Sequence, residues 1–462
     1  MKNDLVVSGG MVVRPQGAEL ADIVINNGKI IDVVTLGSGR AERVVDARNR
    51  IVLPGGVDAH VHFLIGFMGQ KSVYDFYSGT IAALRGGTTT VIDFALQRQG
   101  HSLMDGLKHR RVQADRHVTT DYALHLIATD INESTLAERP AMLVAGVSSF
   151  KAYMVYEKER LKVDDGPLYD LMCAMGRQGM LLGLHAENAS MIDTAVAHCL
   201  GRGEVAAKYH AVSRLPISET EAVSRALLLA ADAGSPVHIF HLSSGPALDL
   251  IAAAQARGQR AYAETCTHYL ALTDEAYQRQ DAHHYVMSPP LRSVEHQNRL
   301  WQGLANGEIT TVTSDDASYS AAAKLLGSAS FATTANGVPG VEHRLPLLYT
   351  LGVQSGRITL AQLAEVWSSG PARLFGLAPN KGSISVGADA DLVIFDPEVR
   401  RKVDPSSNFG AIGYTPYEGM ELAGWPTMTL RRGSIAVDGG SFLGKAGDGK
   451  FLHRTTMNTG NR

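Results

Sequence analysis

Ile51-Val52-Leu53-Pro54-Gly55-Gly56-Val57-Asp58-Ala59-His60-Val61-His62 is a short apolar run that closes on two histidines. Its first part, Ile51–Val57, has the length and branched-residue content of a buried strand. Strand geometry puts residues two apart on the same face, so His60 and His62 point the same way. That arrangement suits chelation of one ion by neutral imidazoles. Two core histidines bonded to backbone carbonyls would leave the same text, and the pair alone does not choose between the two. Asp58, just before them, is a candidate for orienting one of the rings.

Working outward, seven further stretches read as strands: Thr88–Phe94, Tyr122–Ile127, Ser149–Met154, Leu181–Leu184, Pro236–Phe240, Ala261–Glu264 and Ile309–Thr313. Between them lie segments of helical composition, among them Glu219–Ala233 and Pro246–Arg257, several ending in Gly as helix C-termini do. Alternating strands and helices predict parallel β-α units, and eight strands are the number that closes a barrel. In such barrels chemistry gathers at the C-terminal ends of the strands. That is where this sequence places His60 and His62, Lys151 late in strand four, His185 after strand five, His241 after strand six and Asp315 after strand eight.

Both chain ends read differently. Leu5–Val7, Met11–Val13 and Asp22–Ile25 are short strand candidates, and Asn26-Asn27-Gly28-Lys29 is a hairpin turn, because Asn-Gly supplies the positive φ angles it needs. The pattern returns at Ala390–Phe395, Met428–Leu430 and Ile435–Val437. Neither end could bury a core alone, so the two are expected to pair. The predicted fold is an α/β (β/α)8 barrel with a small β-sandwich made from both ends. Its parts are residues 1–53 and 379–441 for the sandwich, 54–378 for the barrel, and 442–462 as a C-terminal tail. That tail, with Gly444, Lys445, Gly447, Gly449 and Lys450, reads as an exposed or subunit-binding extension.

Composition narrows the function classes. With 43 Lys+Arg against 46 Asp+Glu the net charge is only -3, which offers no broad basic surface for a phosphate backbone. Neither a P-loop nor a GxGxxG run is present, so no phosphate cradle is expected. No apolar run approaches the roughly 20 residues of a membrane helix. Cys173, Cys199 and Cys266 are scattered, with no CxxC pair, and the opening Met1-Lys2-Asn3-Asp4-Leu5-Val6-Val7 lacks the apolar core of a signal peptide. A cytoplasmic enzyme of small molecules is the expectation.

Each candidate ligand has a structural reading beside the functional one. Lys151, in Ser149-Phe150-Lys151-Ala152-Tyr153-Met154-Val155-Tyr156, would either snorkel to water or be buried and lose its proton. A neutral amine there could add carbon dioxide and become a carbamate with two metal-binding oxygens. His185 (Leu184-His185-Ala186-Glu187-Asn188) and His241 (Phe240-His241-Leu242-Ser243-Ser244) could each be a satisfied core residue, and His238 is a mid-strand decoy for His241. Ser314-Asp315-Asp316-Ala317 could cap a helix, with Asp316 as the cap and Asp315 as the ligand.

Taken in order, HxH after strand one, Phe-Lys-x-Tyr, His-Ala-Glu-Asn, His-Leu-Ser and the strand-eight Asp resemble the hydantoinase and dihydropyrimidinase family of cyclic amidohydrolases. The likeness is greatest to the bacterial phenylhydantoinase, or D-hydantoinase, branch. It extends to Pro54-Gly55-Gly56-Val57-Asp58, Gly86-Gly87-Thr88-Thr89-Thr90, Ser288-Pro289-Pro290-Leu291-Arg292 and Pro371-Ala372-Arg373-Leu374-Phe375-Gly376. The resemblance implies two divalent ions, zinc or else manganese or cobalt, bridged by Lys151 as N6-carboxylysine. One ion would also be held by His60, His62 and Asp315, the other by His185 and His241. It implies a metal-bridging hydroxide opening the ring of a hydantoin or dihydropyrimidine to an N-carbamoyl amino acid, with Asp315 moving the proton. It further implies that Tyr156 donates to the oxyanion, that Ser288 and Asn336 bind the ring amide, and that the enzyme is a homotetramer. Allantoinase is the alternative activity, and a non-catalytic scaffold of the collapsin response mediator type is the alternative class.

Two details bear on substrate. Dihydroorotase relatives usually carry an arginine two residues after HxH, whereas this chain has Phe63 and Leu64, which speaks against an acidic ring. Phe63, Leu64, Ile65, Phe67 and Met68, with Phe94, Leu96, Tyr153 and Tyr156, are expected to wall an apolar pocket for a ring substituent. Family members also commonly follow the strand-eight Asp with His, where this chain has Asp316. A second carboxylate there would raise the pKa of Asp315 by like-charge repulsion.

Overall fold

The expected first strand is two strands. In this computed structural model, which describes residues 3–14 and 17–457, Ile51–Pro54 pairs with Leu5–Arg14 and Leu392–Lys402 in the terminal sheet. Gly56–Asp58 instead pairs with Thr88–Leu96 in the barrel. Gly55 and Gly56 make the crossing. A Cβ on Gly55 would lie 2.3 Å from Thr89 Oγ1, and one on Gly56 2.2 Å from the Trp367 ring, so no side chain fits at either position. The Gly55 amide then donates to Asp391 O at 2.8 Å, fastening the junction to the second half of the sheet.

Eight parallel strands follow in sequential order: Gly56–Asp58, Thr88–Leu96, Asp121–Ile127, Ser149–Tyr153, Leu181–His185, Val237–Ile239, Ala261–Cys266 and Thr311–Thr313. They are called strands one to eight below. Closure between eight and one runs through residues just past their ends: the His62 amide donates to Asp316 O at 2.8 Å, and the Ser314 amide to Asp58 Oδ1 at 3.2 Å. The closing contacts therefore lie within the segment that carries the candidate ligands. Helices Pro216–Asp232 and Gly245–Ala256 occupy the predicted positions, the second capped by Ser244. Both bury one face, Ala222, Val223, Ala226 and Ala230 on the first, in the continuous core around the strands.

The chain ends build one hydrogen-bonded network of nine strands. The hairpin sits at Asn27 and Gly28, with φ of 50° and 75°. Leu5–Val7 and Met11–Val13 belong to a single strand, Leu5–Arg14, broken by a bulge between Val7 and Gly10. Before the bulge it pairs with Arg43–Asp46, after it with Ile51–Pro54. This bend wraps the sheet around Val7, Val12, Ile23, Ile25, Val52, Leu392 and Leu430. Lys381 ties sheet to barrel, its buried Nζ lying 2.6 Å from Asp121, 2.9 Å from Asp389 and 2.6 Å from Asp391.

The tail is not a free extension over its described part. Lys450 O accepts from the Tyr122 amide at 2.9 Å, and Phe451 packs edge-on against the Tyr122 ring. Arg454, 3% exposed, donates to Ser149 Oγ at 2.7 Å and to Leu124 O. Tyr122 and Ser149 lie at the N-terminal ends of strands three and four and Leu124 midway along strand three, so the segment packs against the end of the barrel opposite the mouth. The tail beyond Met457 and the opening Met1-Lys2 lie outside the described residues. No helix among the described residues is long and apolar enough to cross a membrane.

Candidate metal centre

Six side chains predicted from separate parts of the sequence meet at the mouth. His60 and His62 lie just past strand one, Lys151 is inside strand four, and His185 ends strand five. His241 and Asp315 each lie two residues past strands six and eight. His60 Nε2 is 3.0 Å from Lys151 Nζ, 3.2 Å from His62 Nε2 and 3.2 Å from Asp315 Oδ1. Asp315 Oδ1 is also 3.4 Å from His62 Nε2. The His241 ring lies 5.3 Å from that of His60 and 4.4 Å from that of His185. His60, His241 and Asp315 offer ligand atoms all within 4.8 Å of one another.

This donor set fits divalent cations. Burial lowers the pKa of His60, His62, His185 and His241, which keeps the imidazoles neutral and their lone pairs available. Four imidazoles and a carboxylate crowd on one point with the Lys151 amine as the one cationic group among them, and the His241 Nδ1 has no hydrogen-bond partner. Lys151 is 1% exposed, its Nζ 4.4 Å above the Phe94 ring and 4.9 Å from those of Tyr153 and Phe240. Desolvation by burial pulls its amine down to about 8, so about a tenth of it is neutral at pH 7, several hundred times the fraction of an ordinary lysine. That is the form needed to add carbon dioxide.

Two carboxylates that the sequence reading did not select orient the rings. Glu264, in strand seven, sits 2.6 Å from His60 Nδ1, leaving Nε2 for the centre. Glu187 sits 2.6 Å from His185 Nε2 and 2.6 Å from Arg214 Nη1, leaving His185 Nδ1 free. Asp58 does not take this role: it accepts from the backbone amides of His60 and Ser314 and pairs with Arg344. The signal for Glu187 was present as His-Ala-Glu, two residues apart. Glu264 left no such trace, because it reaches His60 from another strand. His268 was also missed; it lines the cavity with both ring nitrogens unpartnered.

Backbone strain concentrates here. Tyr156, His241 and Asp315 hold φ of 69°, 38° and 46°, a region that L residues avoid unless their surroundings impose it. Above the centre opens a cavity of about 370 Å³ lined by Tyr156, Ser288 and Asn336 together with Leu64, Ile65, Phe67, Phe94, Leu96 and Tyr153. The expected apolar wall is thus present, with two corrections. Phe63 is buried behind it, edge-on to Tyr74 and Phe76, because Gly79 leaves room for its ring. Met68 faces a smaller neighbouring pocket on the far side of Tyr156. Burial raises the Tyr156 phenol, against the Arg214 charge beside it, so it stays protonated and able to donate.

Asp316 neither caps a helix nor enters the centre. Helix Ala321–Leu326 is capped by Ser320. The Asp316 carboxylate accepts from Ser318 Oγ at 2.5 Å and from the amides of Gly340 and Val341 at 2.8 and 3.0 Å. Burial pushes it up to about 6 despite these donors. Its place is to hold the 340–341 loop against strand eight, which puts its carboxylate on different partners from those of Asp315.

Comparison with known proteins identifies the family. The amidohydrolase family profile matches residues 51–436. A D-hydantoinase of Ralstonia pickettii is 39% identical over 454 residues, covering 98% of this chain and 99% of its own. A D-phenylhydantoinase of Escherichia coli O1:K1 / APEC is 37% identical, covering 97% and 98%. Among solved structures, the dihydropyrimidinase from Brevibacillus agri NCHU1002 superposes with a TM-score of 0.96 at 35% identity, covering 98% of this chain and 99% of its own.

Proposed function

The chain belongs to the amidohydrolase family, and from that premise we propose that it is a metal-dependent cyclic amidohydrolase opening hydantoins or dihydropyrimidines to N-carbamoyl amino acids. The observation that carries this reading is the convergence of Lys151, His62 and Asp315 on His60 Nε2 within 3.0 to 3.2 Å, beneath an apolar cavity. The relatives' names favour it over allantoinase, and the retention of all six ligands favours it over a non-catalytic scaffold.

In this proposal Lys151, carboxylated by carbon dioxide, would help hold two divalent ions, zinc or else manganese or cobalt. His60, His62 and Asp315 complete one set of ligands, His185 and His241 the other. Ions held there would supply Lewis acidity and would lower the pKa of an attacking water to about 7, far below that of bulk water. Asp315 takes the proton of that water and delivers it to the ring nitrogen as it leaves. Tyr156, held protonated, donates to the oxygen on which negative charge develops. Ser288 and Asn336 grip the ring amide, which fixes the scissile carbon over the centre, while Leu64, Ile65, Phe67 and Leu96 receive the ring substituent. The three free cysteines suit a reducing cytoplasm, and the resemblance to hydantoinases supports a homotetramer.

The test is a substrate panel of 5-substituted hydantoins, dihydrouracil and allantoin, with metal content measured on the same preparation. Ring opening of the first two with two metals per subunit is expected. Turnover of allantoin alone would move the assignment to allantoinase, and an inert tetramer that takes up no metal would support the scaffold class.

A further inference from the structure

We propose that Lys324 is a positioning residue that locks together the two loops carrying Ser288 and Asn336, so that they grip the ring amide as a single clamp. This deepens the proposed function and rests on it. Lys324 lies on the short helix Ala321–Leu326 beyond strand eight and is 0% exposed, although its neighbours Leu325 and Leu326 face solvent. Its Nζ donates to Val286 O at 2.6 Å and to Ala335 O at 2.7 Å. Val286 is two residues before Ser288 and Ala335 one residue before Asn336, so a single nitrogen spans both loops. The Gly337 amide adds a direct bond between them, donating to Val286 O at 3.1 Å. His210 pins the first loop from its other side, its Nε2 lying 2.7 Å from Met287 O.

A lysine is almost never fully buried without a charged partner. Here both partners are neutral carbonyls, and burial alone pushes the amine well below its ordinary value. A neutral amine has two N–H groups, matching the two carbonyls it meets. An aliphatic side chain would fill this volume without the burial cost, so the amine's distinct contribution is the two bonds. Their effect falls on two loops whose shared feature is that both line the cavity beside the metal ligands. Without them each loop would keep its own anchor, the relative spacing of the Ser288 and Asn336 backbones would widen, and substrate binding would weaken ahead of the chemical step.

The experiment compares Lys324→Met, which removes both donors at similar length, and Lys324→Gln, which retains an NH2 group on a shorter arm. Full-length enzyme loaded with zinc is assayed on 5-phenylhydantoin and 5-methylhydantoin, with metal content checked. Losing a bond pair that aligns both loops should raise KM about tenfold or more for both substrates in Lys324→Met, with kcat within about threefold and Lys324→Gln intermediate. Because the clamp acts on the ring and not on the substituent, the phenyl-to-methyl ratio of kcat/KM should stay within about twofold. A merely structural role would shift that ratio or lower kcat. KM within about twofold of wild type in whichever variant is soluble, a fall in kcat alone, or a shifted ratio overturns the proposal. If wild type turns over neither these hydantoins nor dihydrouracil, the proposed function fails and the clamp with it; if it turns over dihydrouracil alone, the same KM comparison is made on dihydrouracil. Wild-type turnover with unmoved KM in the variants overturns the clamp alone.

Discussion

Replacing Glu187 with Gln should separate the enzyme's acid stability from its metal chemistry. Glu187 is fully buried and bonds His185 and Arg214, each at 2.6 Å. Although burial opposes ionisation, the Arg214 charge and the His185 hydrogen bond hold its carboxyl at about 2, against an ordinary 4.5. A folded-state pKa below the unfolded one adds stability that is complete above about 4.5 and lost as pH falls from there to about 2. At 1.36 kcal/mol per unit the shift corresponds to about 3 kcal/mol at pH 7, falling to roughly half of that at pH 3. Unfolding entropies near 2.1 cal/mol/K per residue make that gap about 3 °C in Tm at pH 7 for a chain of this length, and about half as much at pH 3. The assay is thermal denaturation of metal-free wild type and Glu187→Gln across this pH range, because their difference cancels the titration of shared groups. A gap that stays constant from pH 7 to pH 3 would show that Glu187 is not held ionised by Arg214. The same variant should bind the ion beside His185 about 10- to 100-fold more weakly, since the ring loses its orienting acceptor.

Glu264→Gln should weaken the ion beside His60 by a similar 10- to 100-fold, read by competition with a chromogenic chelator; unchanged affinity would remove Glu264 from that role. Tyr156→Phe should lower kcat by about 10²- to 10³-fold while two metals per subunit remain, and equal kcat would exclude the phenol as oxyanion donor. Lys381→Met removes the cation that Asp121, Asp389 and Asp391 share, leaving Arg432 on Asp121 and Lys29 on Asp389 but none on buried Asp391. It should cost about 3 to 5 kcal/mol, read as a lowered Tm with kcat per folded enzyme retained; an unchanged Tm would mean the cluster does not join sheet to barrel.

The convergence of the six candidate side chains was legible because each ends an apolar run, and a parallel barrel delivers every strand end to one mouth. The distal partners were not. Glu264 looks like any strand residue until strand seven is placed across from His60, and Arg454 looks like part of an exposed tail until Ser149 and Leu124 give it acceptors. The split of Ile51–Val57 was hidden for a related reason: its apolar pattern is continuous, and the need for Gly55 and Gly56 appears only when Thr89 and Trp367 stand against them. Asp316 shows the converse, a residue adjacent in sequence to a ligand whose carboxylate serves a loop 24 residues away. Local pattern thus located side chains along strands, while contacts across strands and loops decided what held them.

The central claim is that Lys151 carries a carbamate shared by two ions. The direct measurement is carbon-13 NMR of enzyme loaded with labelled carbon dioxide and a diamagnetic divalent metal, beside metal analysis of wild type and Lys151→Ala. The account predicts a carbamate signal and two metals per subunit in wild type. It also predicts loss of both in Lys151→Ala, with activity partly restored by short-chain carboxylic acids. Two metals and full activity in Lys151→Ala without any added acid would contradict it.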